Sequence, residues 1–198
     1  MASGDTVDSF PLAASAAAGS DAGCGAARTD DEALVQAFRS AMRRLAAPVT
    51  LITARDTDGT RHGMVASAVM SVSMQPPSLL VGVNRSASIH RVLQGTQRFC
   101  VNLLAEQQGS LLALFADPLR REQRFAGADW RDGALALPYH RAATCAVFCE
   151  VALPVVHGSH SLFLGRVVDV RLALGEPVPP LLWFDGAPAA LRRLREAA

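Results

Sequence analysis

Apolar residues recur at three- and four-residue intervals from Asp31 to Leu45, at Ala33, Leu34, Ala37, Phe38, Ala41, Met42 and Leu45. That spacing predicts an amphipathic helix, capped by Asp30 or Asp31, with Arg39, Arg43 and Arg44 on its polar side. After Pro48 the period shortens to two. Val49–Thr53 reads as a strand, Asp56–Thr60 as a hairpin turn, and His62–Met74 as one long strand ending at Pro76-Pro77. Ser78–Val83 is a further strand, Ser86–Leu93 a helix closed by Gly95, and Phe99–Leu103 a strand again. A polar helical region over Glu106–Phe125 is followed by a loop holding Gly127, Trp130, Gly133 and Pro138. Two long β-branched runs, Thr144–Val156 and Ser161–Val170, are joined by His157-Gly158-Ser159-His160. Leu181–Phe184 makes a last strand and Leu191–Glu196 a short helix. About seven strands in hairpin order predict a mainly β fold with flanking helices, an antiparallel barrel.

Composition narrows the class. Of 198 residues half are hydrophobic, enough for one domain with a sizeable core. Residues 1–30, rich in Ala, Gly, Ser and Asp, read as a disordered tail preceding a domain over 31–198. With 19 basic and 18 acidic residues, the chain lacks the basic excess of a nucleic-acid surface or a polybasic membrane anchor. There is no apolar run long enough to span a bilayer and no signal-peptide pattern. Cys24, Cys100, Cys145 and Cys149 form no Cys-x-x-Cys pair, which fits reduced thiols in a cytoplasmic protein. Neither Gly-x-Gly-x-x-Gly nor a phosphate-loop pattern is present, so a nicotinamide site here is not a dinucleotide-binding βαβ unit.

The stretch Gly63–Met74 has two chemical faces when read as one strand. Met64, Ala66, Ala68, Met70, Val72 and Met74 form an apolar face that belongs in a core. Gly63, Val65, Ser67, Val69, Ser71 and Ser73 form the other, with hydroxyls in line at a pitch of roughly 6.5–7 Å. Such a line suits either solvent or the edge of a flat heterocycle rich in carbonyl and ring-nitrogen groups. Asn84-Arg85-Ser86-Ala87-Ser88 leaves a strand and opens a helix, with Ser86 as its N-cap. A helix start beside an arginine is either a phosphate cradle or a plain cap with a solvated side chain. The His157/His160 pair has no adjoining carboxylate or thiol to complete a metal site. Trp130 and Trp183 read as core.

These segments resemble the short-chain flavin reductases, the small components of two-component flavin-dependent monooxygenases. The resemblance rests on Gly63-Met64, Ala66, Ser71-Val72-Ser73, Pro76-Pro77 and Asn84-Arg85-Ser86. It is extended by Pro48-Val49-Thr50, Phe99 with Val101–Leu104, Phe115-Ala116, Arg124-Phe125, Gly158-Ser159-His160 and Pro180–Phe184, in the family's order over about residues 34–191. Val65, Ser67 and Ala68 stand where the family commonly has Thr, Asn and Ser, which removes two polar groups.

The resemblance implies a homodimeric FMN-binding split barrel that accepts FMN or FAD and NADH or NADPH. Reduced flavin would pass to a separate monooxygenase, with weak flavin retention on purification. It implies that Val65, Ala66, Ser67, Ala68, Ser71, Ser73, Asn84, Arg85, Ser86 and Ser88 face the flavin. By the same resemblance Phe115 and Ala116 close over it, and His160 lies by the nicotinamide or the flavin ring. Two cofactors carry the hydride chemistry, so no acid–base dyad is expected. The competing reading is a non-catalytic or tightly flavin-loaded split-barrel protein.

Overall fold

The computed structural model describes residues 25–192, with side chains from 31 onward. The N-terminal helix α1 spans Gly25–Met42, six residues longer at its start than the apolar period predicts. Strands β1 (Ala47–Pro48), β2 (Thr50–Arg55), β3 (Arg61–Ala66), β4 (Val69–Met74) and β5 (Pro77–Asn84) lead to helix α2 (Ser88–Thr96). Then come β6 (Arg98–Leu103), α3 (Gly109–Ala116), β7 (Trp130–Asp132) and β8 (Pro138–His140). The hairpin strands β9 (Cys145–His157) and β10 (His160–Leu172), with β11 (Leu181–Phe184) and β12 (Ala187–Ala190), complete the set. Residues 1–24 and the expected helix beyond 192 lie outside the described residues.

Seven strands form one antiparallel sheet in the order β3-β2-β6-β9-β10-β5-β4. β3 and β4 lie at opposite edges, yet only Ser67 and Ala68 separate them in the chain. The sheet therefore curls toward that link, and the Gly82 N–H donates to the Ala68 carbonyl at 2.9 Å, extending the β4–β5 pairing into the link. Ile52, Ala66, Val81, Phe99, Val101 and Phe163 fill the rolled interior together with Ile89 and Leu93 of α2. A three-stranded sheet, β1-β11-β12, packs Leu181 with Val49, Leu51 and Leu104, and α3 adds Leu112 and Phe115 to that second cluster.

The expected single strand over His62–Met74 is two strands, and the break changes which side chains are buried. Met64 and Ala66 of β3 pack against the interior cluster. After the two-residue link it is Val69, an odd-numbered position, that packs there. Met70, Val72 and Met74, expected in the core, are instead 59 %, 52 % and 76 % exposed. A one-residue change of phase exchanges the faces of a strand, and the link supplies that change.

Other differences are equally local. The helical region expected over Glu106–Phe125 is interrupted at Asp117-Pro118, where proline cannot continue α3, and a 3-10 segment Pro118–Gln123 follows. Pro154 lies inside β9 opposite Phe163, beyond the stretch of β9 that pairs with β6, so its missing N–H costs the sheet nothing.

One buried polar network ties the layers. Asn102, fully buried on β6, donates to the Leu51 carbonyl (3.1 Å) and Thr53 Oγ1 (3.2 Å) and accepts from the His140 N–H (2.8 Å). Asn102→Ala leaves several buried groups unpaired and is expected to lower stability by about 3 kcal/mol, readable as a shift in the urea midpoint.

Candidate functional site

The hairpin between β9 and β10 turns at Gly158, whose φ of +55° favours glycine. It delivers His160 opposite both His157 and Asn84, the last residue of β5. Asn84 Oδ1 then accepts the Ser86 N–H and hydroxyl, each at 2.9 Å, bending the chain in an Asx turn. The Arg85 N–H donates to the Ser159 carbonyl at 2.9 Å, and the Arg85 guanidinium reaches the Gly158 carbonyl only at 3.5 Å. Two turns far apart in sequence are thus fastened side by side. Asn84, Arg85, Ser86, Ser88 and His160 come together there, with Arg85, Ser86 and Ser88 exposed.

Helix α2 begins one residue later than its sequence suggests. Its N-cap is Ala87, not Ser86, because the Ser86 hydroxyl is spent on Asn84. No side chain caps α2. Its first N–H groups and the exposed Arg85 form a donor set suited to an anionic oxygen.

Ser67 and Ala68 belong to the same rim. Both are exposed, and the bond from Gly82 to Ala68 places the link two residues along β5 from Asn84. Ser71 and Ser73 do not join them. They lie opposite Leu79 and Ser78, five and six positions back along β5, roughly 17 and 20 Å from Asn84. Because β4 runs antiparallel to β5, each hydroxyl after the link lies farther from the turn. Ser73 Oγ accepts the Gln75 N–H at the next bend.

Three further candidates occupy the other side of β3. Val65 packs against the cluster of Val49, Leu51, Leu112 and Phe115. Phe115 is 3 % exposed and meets Phe125 and Trp130 at ring-centroid distances of 5.4 and 5.7 Å. It fills the space left by Gly63, whose added Cβ would lie 2.5 Å from the ring. Phe115 is therefore a core side chain, and Ala116 ends α3 beside it, half-buried. Ala66 is buried too, with its carbonyl accepting the Thr50 hydroxyl at 2.6 Å.

Arg124 fastens this side. Its guanidinium, 9 % exposed, donates to the Gly63 carbonyl (3.0 Å) and the Asp117 carbonyl at the end of α3 (3.1 Å) and lies 5.4 Å from the Phe115 ring centre. His90 and Ser161, which the sequence pattern does not mark, form a buried pair beneath the turn, with His90 Nε2 2.8 Å from Ser161 Oγ. Both lie on faces read as ordinary helix and strand interior, so periodicity conceals them.

Burial holds His140 below the ordinary histidine range, and burial with the nearby Arg85 charge does the same for His90. The unfolded chain then takes up protons near pH 6.5 more readily than the folded one. Stability is full above that value and falls as the pH drops below it. The urea midpoint is expected to decline between pH 7 and 5; a flat profile would contradict this. Cys100, Cys145 and Cys149 are free, and burial pushes the Cys149 thiol up to about 12, so it stays protonated. Among the described residues, no group of His, Cys, Asp or Glu is arranged to hold a metal, and no helix is long and apolar enough to cross a membrane.

The antiparallel sheet, with an exposed guanidinium, a helix start without a side-chain cap and a small-residue link along one rim, defines a small, mainly β protein. Residues 42–192 match the flavin reductase like domain, and the chain belongs to that family. It is 39 % identical over 152 residues to the NADH:riboflavin 5'-phosphate oxidoreductase of Streptomyces pristinaespiralis, covering 75 % of this chain and 84 % of the relative. It is also 39 % identical over 156 residues to the reductase component of the FADH(2)-dependent resorcinol hydroxylase of Rhizobium sp., covering 77 % and 84 %. Among solved structures it resembles BorF, the flavin reductase component of a bacterial two-component tryptophan halogenase. That likeness has a TM-score of 0.73 and 28 % identity and covers 81 % of this chain and 99 % of the other.

Proposed function

We propose that this chain is an NADH-dependent flavin reductase that supplies reduced flavin, FMN or FAD, to a separate monooxygenase. The observation that carries the reading is the fastening of the Asn84–Ser88 turn to the hairpin at His160, beside the Ser67–Ala68 link. One rim there offers anion donors, a close-approach backbone and an imidazole. When bound, the nicotinamide and flavin rings supply the hydride chemistry themselves. The chain's part is to bind and orient. Arg85 and the first N–H groups of α2 hold the flavin's phosphate. Ser67 and Ala68, having small side chains, let the ring edge approach the backbone, and His160 borders the second ring. Ordering two rings in contact is mainly an entropic contribution to rate.

The fold is a split barrel, and the working form is a homodimer. Support comes from the outer face of β4, β5, β10 and β9. There Met70, Leu80, Leu164 and Leu153 align in one register row, and Gly82, Leu162 and Val155 in the next. Met70 and Leu153 are 59 % and 53 % exposed, and an apolar patch crossing four strands favours burial against another copy. The adjoining row is Asn84, His160 and His157, so a partner copy seated there adjoins the site. Leu153→Glu is expected to shift sedimentation from dimer to monomer. An unchanged sedimentation coefficient would remove this face from the interface. Three free cysteines and the proposed use of NADH support a cytoplasmic location.

Following NADH loss with and without added FMN or FAD tests the activity. Turnover that requires added flavin supports the reductase; none with either flavin favours a binding protein. NADPH in place of NADH determines the nicotinamide preference.

A further inference from the structure

We infer that His90 is a positioning residue for flavin binding: its hydrogen bond to Ser161 sets the Asn84–Ser88 turn and the start of α2 against the β9–β10 hairpin. The inference rests on the reading that this turn holds the flavin's phosphate. The first half of the turn is fixed by main-chain bonds, with Asn84 paired to His160 and the Arg85 N–H donating to Ser159. Its second half, Ala87 and Ser88, leads directly into α2. In the first turn of α2, His90 is 7 % exposed and Ser161 is 1 % exposed, and their side chains meet at 2.8 Å. The His90 ring also meets the edge of Phe163 at 5.6 Å with an interplanar angle of 66°. The bond therefore joins α2 to the strand that carries His160, one residue from His160 itself.

The chemistry of the pair argues for direction as well as adhesion. Around it Ile89, Leu93, Val83 and Phe163 already hold α2 to the interior by apolar contact. An apolar pair could add to that packing in many orientations. A buried hydrogen bond is short and directional and costly if left unmade, so it admits one orientation of the helix start. Burial and the Arg85 charge keep His90 neutral, so it serves as a hydrogen-bonding strut and not as a counter-charge to phosphate.

The test compares FMN with riboflavin, which lacks the phosphate, by flavin fluorescence titration on the full chain. His90→Phe keeps the ring against Phe163 and removes the polar atom; Ser161→Ala is the milder partner change. Each is expected to raise the FMN dissociation constant about fivefold to tenfold while riboflavin binding stays within about twofold. The double variant is expected to be no worse than the worse single one, because both remove the same bond. His90→Gln, which restores a polar atom near the Nε2 position, is expected to recover FMN binding to within about twofold. In NADH oxidation the change falls on the FMN KM and not on kcat. Equal weakening of both ligands, additive effects in the double variant, or unchanged FMN binding would each overturn the inference. Wild-type protein that binds FMN no better than riboflavin would instead overturn the phosphate reading beneath it.

Discussion

Gly165→Ala is expected to destabilise the protein by about 3 kcal/mol, the cost of forcing a methyl group into a filled core. Gly165 lies on β10 where the register with β9 shifts between Leu164 and Gly165. A Cβ there would stand 2.5 Å from Phe99 Cζ and 2.9 Å from Cys149 Cβ, and both of those residues are fully buried. Neither can withdraw, because Phe99 and Cys149 are themselves paired across β6 and β9. The same methyl at Gly95 meets nothing within 4 Å near the end of α2. Gly95→Ala is therefore expected to be neutral or to add up to about 1 kcal/mol through helix propensity. Urea unfolding of the two variants, read against wild type, checks the contrast. Equal stability of the two would mean that β6 and β9 yield freely behind β10.

The second large effect is on ligand affinity. Arg85→Ala is expected to raise the FMN dissociation constant tenfold to a hundredfold, since bonds to a charged group contribute about 1.5–3 kcal/mol. Riboflavin affinity is expected to change little. The Arg85 side chain is exposed and makes only a 3.5 Å contact with the Gly158 carbonyl, so its removal costs the fold almost nothing. Raising the salt concentration is expected to weaken FMN binding to wild type more than to the variant, because screening acts on the lost charge. An FMN affinity unchanged by Arg85→Ala would take the arginine out of the site.

Much of this architecture is legible in the residue pattern. The two β-branched runs around Gly158 read as the long hairpin they are, and Asn84–Ser88 reads as a strand end opening a helix. Alternation fails where a chain feature smaller than a period intervenes. Nothing in Ser67-Ala68 announces a break, yet two residues out of strand geometry send Met70 outward and draw Val69 in. Ser71 and Ser73 extend the Ser67 line in the residue pattern because alternation records neither the change of phase at the link nor the pairing direction. Only the antiparallel pairing with β5 shows that those hydroxyls lead away from the turn. Phe115 looks available for a ligand because a phenylalanine beside an alanine near a helix end carries no mark of burial. Gly63, across the layer, makes the room it occupies. The His90–Ser161 bond spans two elements distant in sequence, and no local period can report it.

A flavin nucleotide is expected to lie across the rim between the Ser67–Ala68 link and the Asn84–Ser88 turn. A crystal structure of the protein with bound FMN tests it most directly. The phosphate is predicted within hydrogen-bonding distance of the Arg85 guanidinium and the first N–H groups of α2, with the ring edge against Ser67 and Ala68. A phosphate bound beside Ser71 and Ser73 on β4, with Arg85 left in solvent, would contradict it.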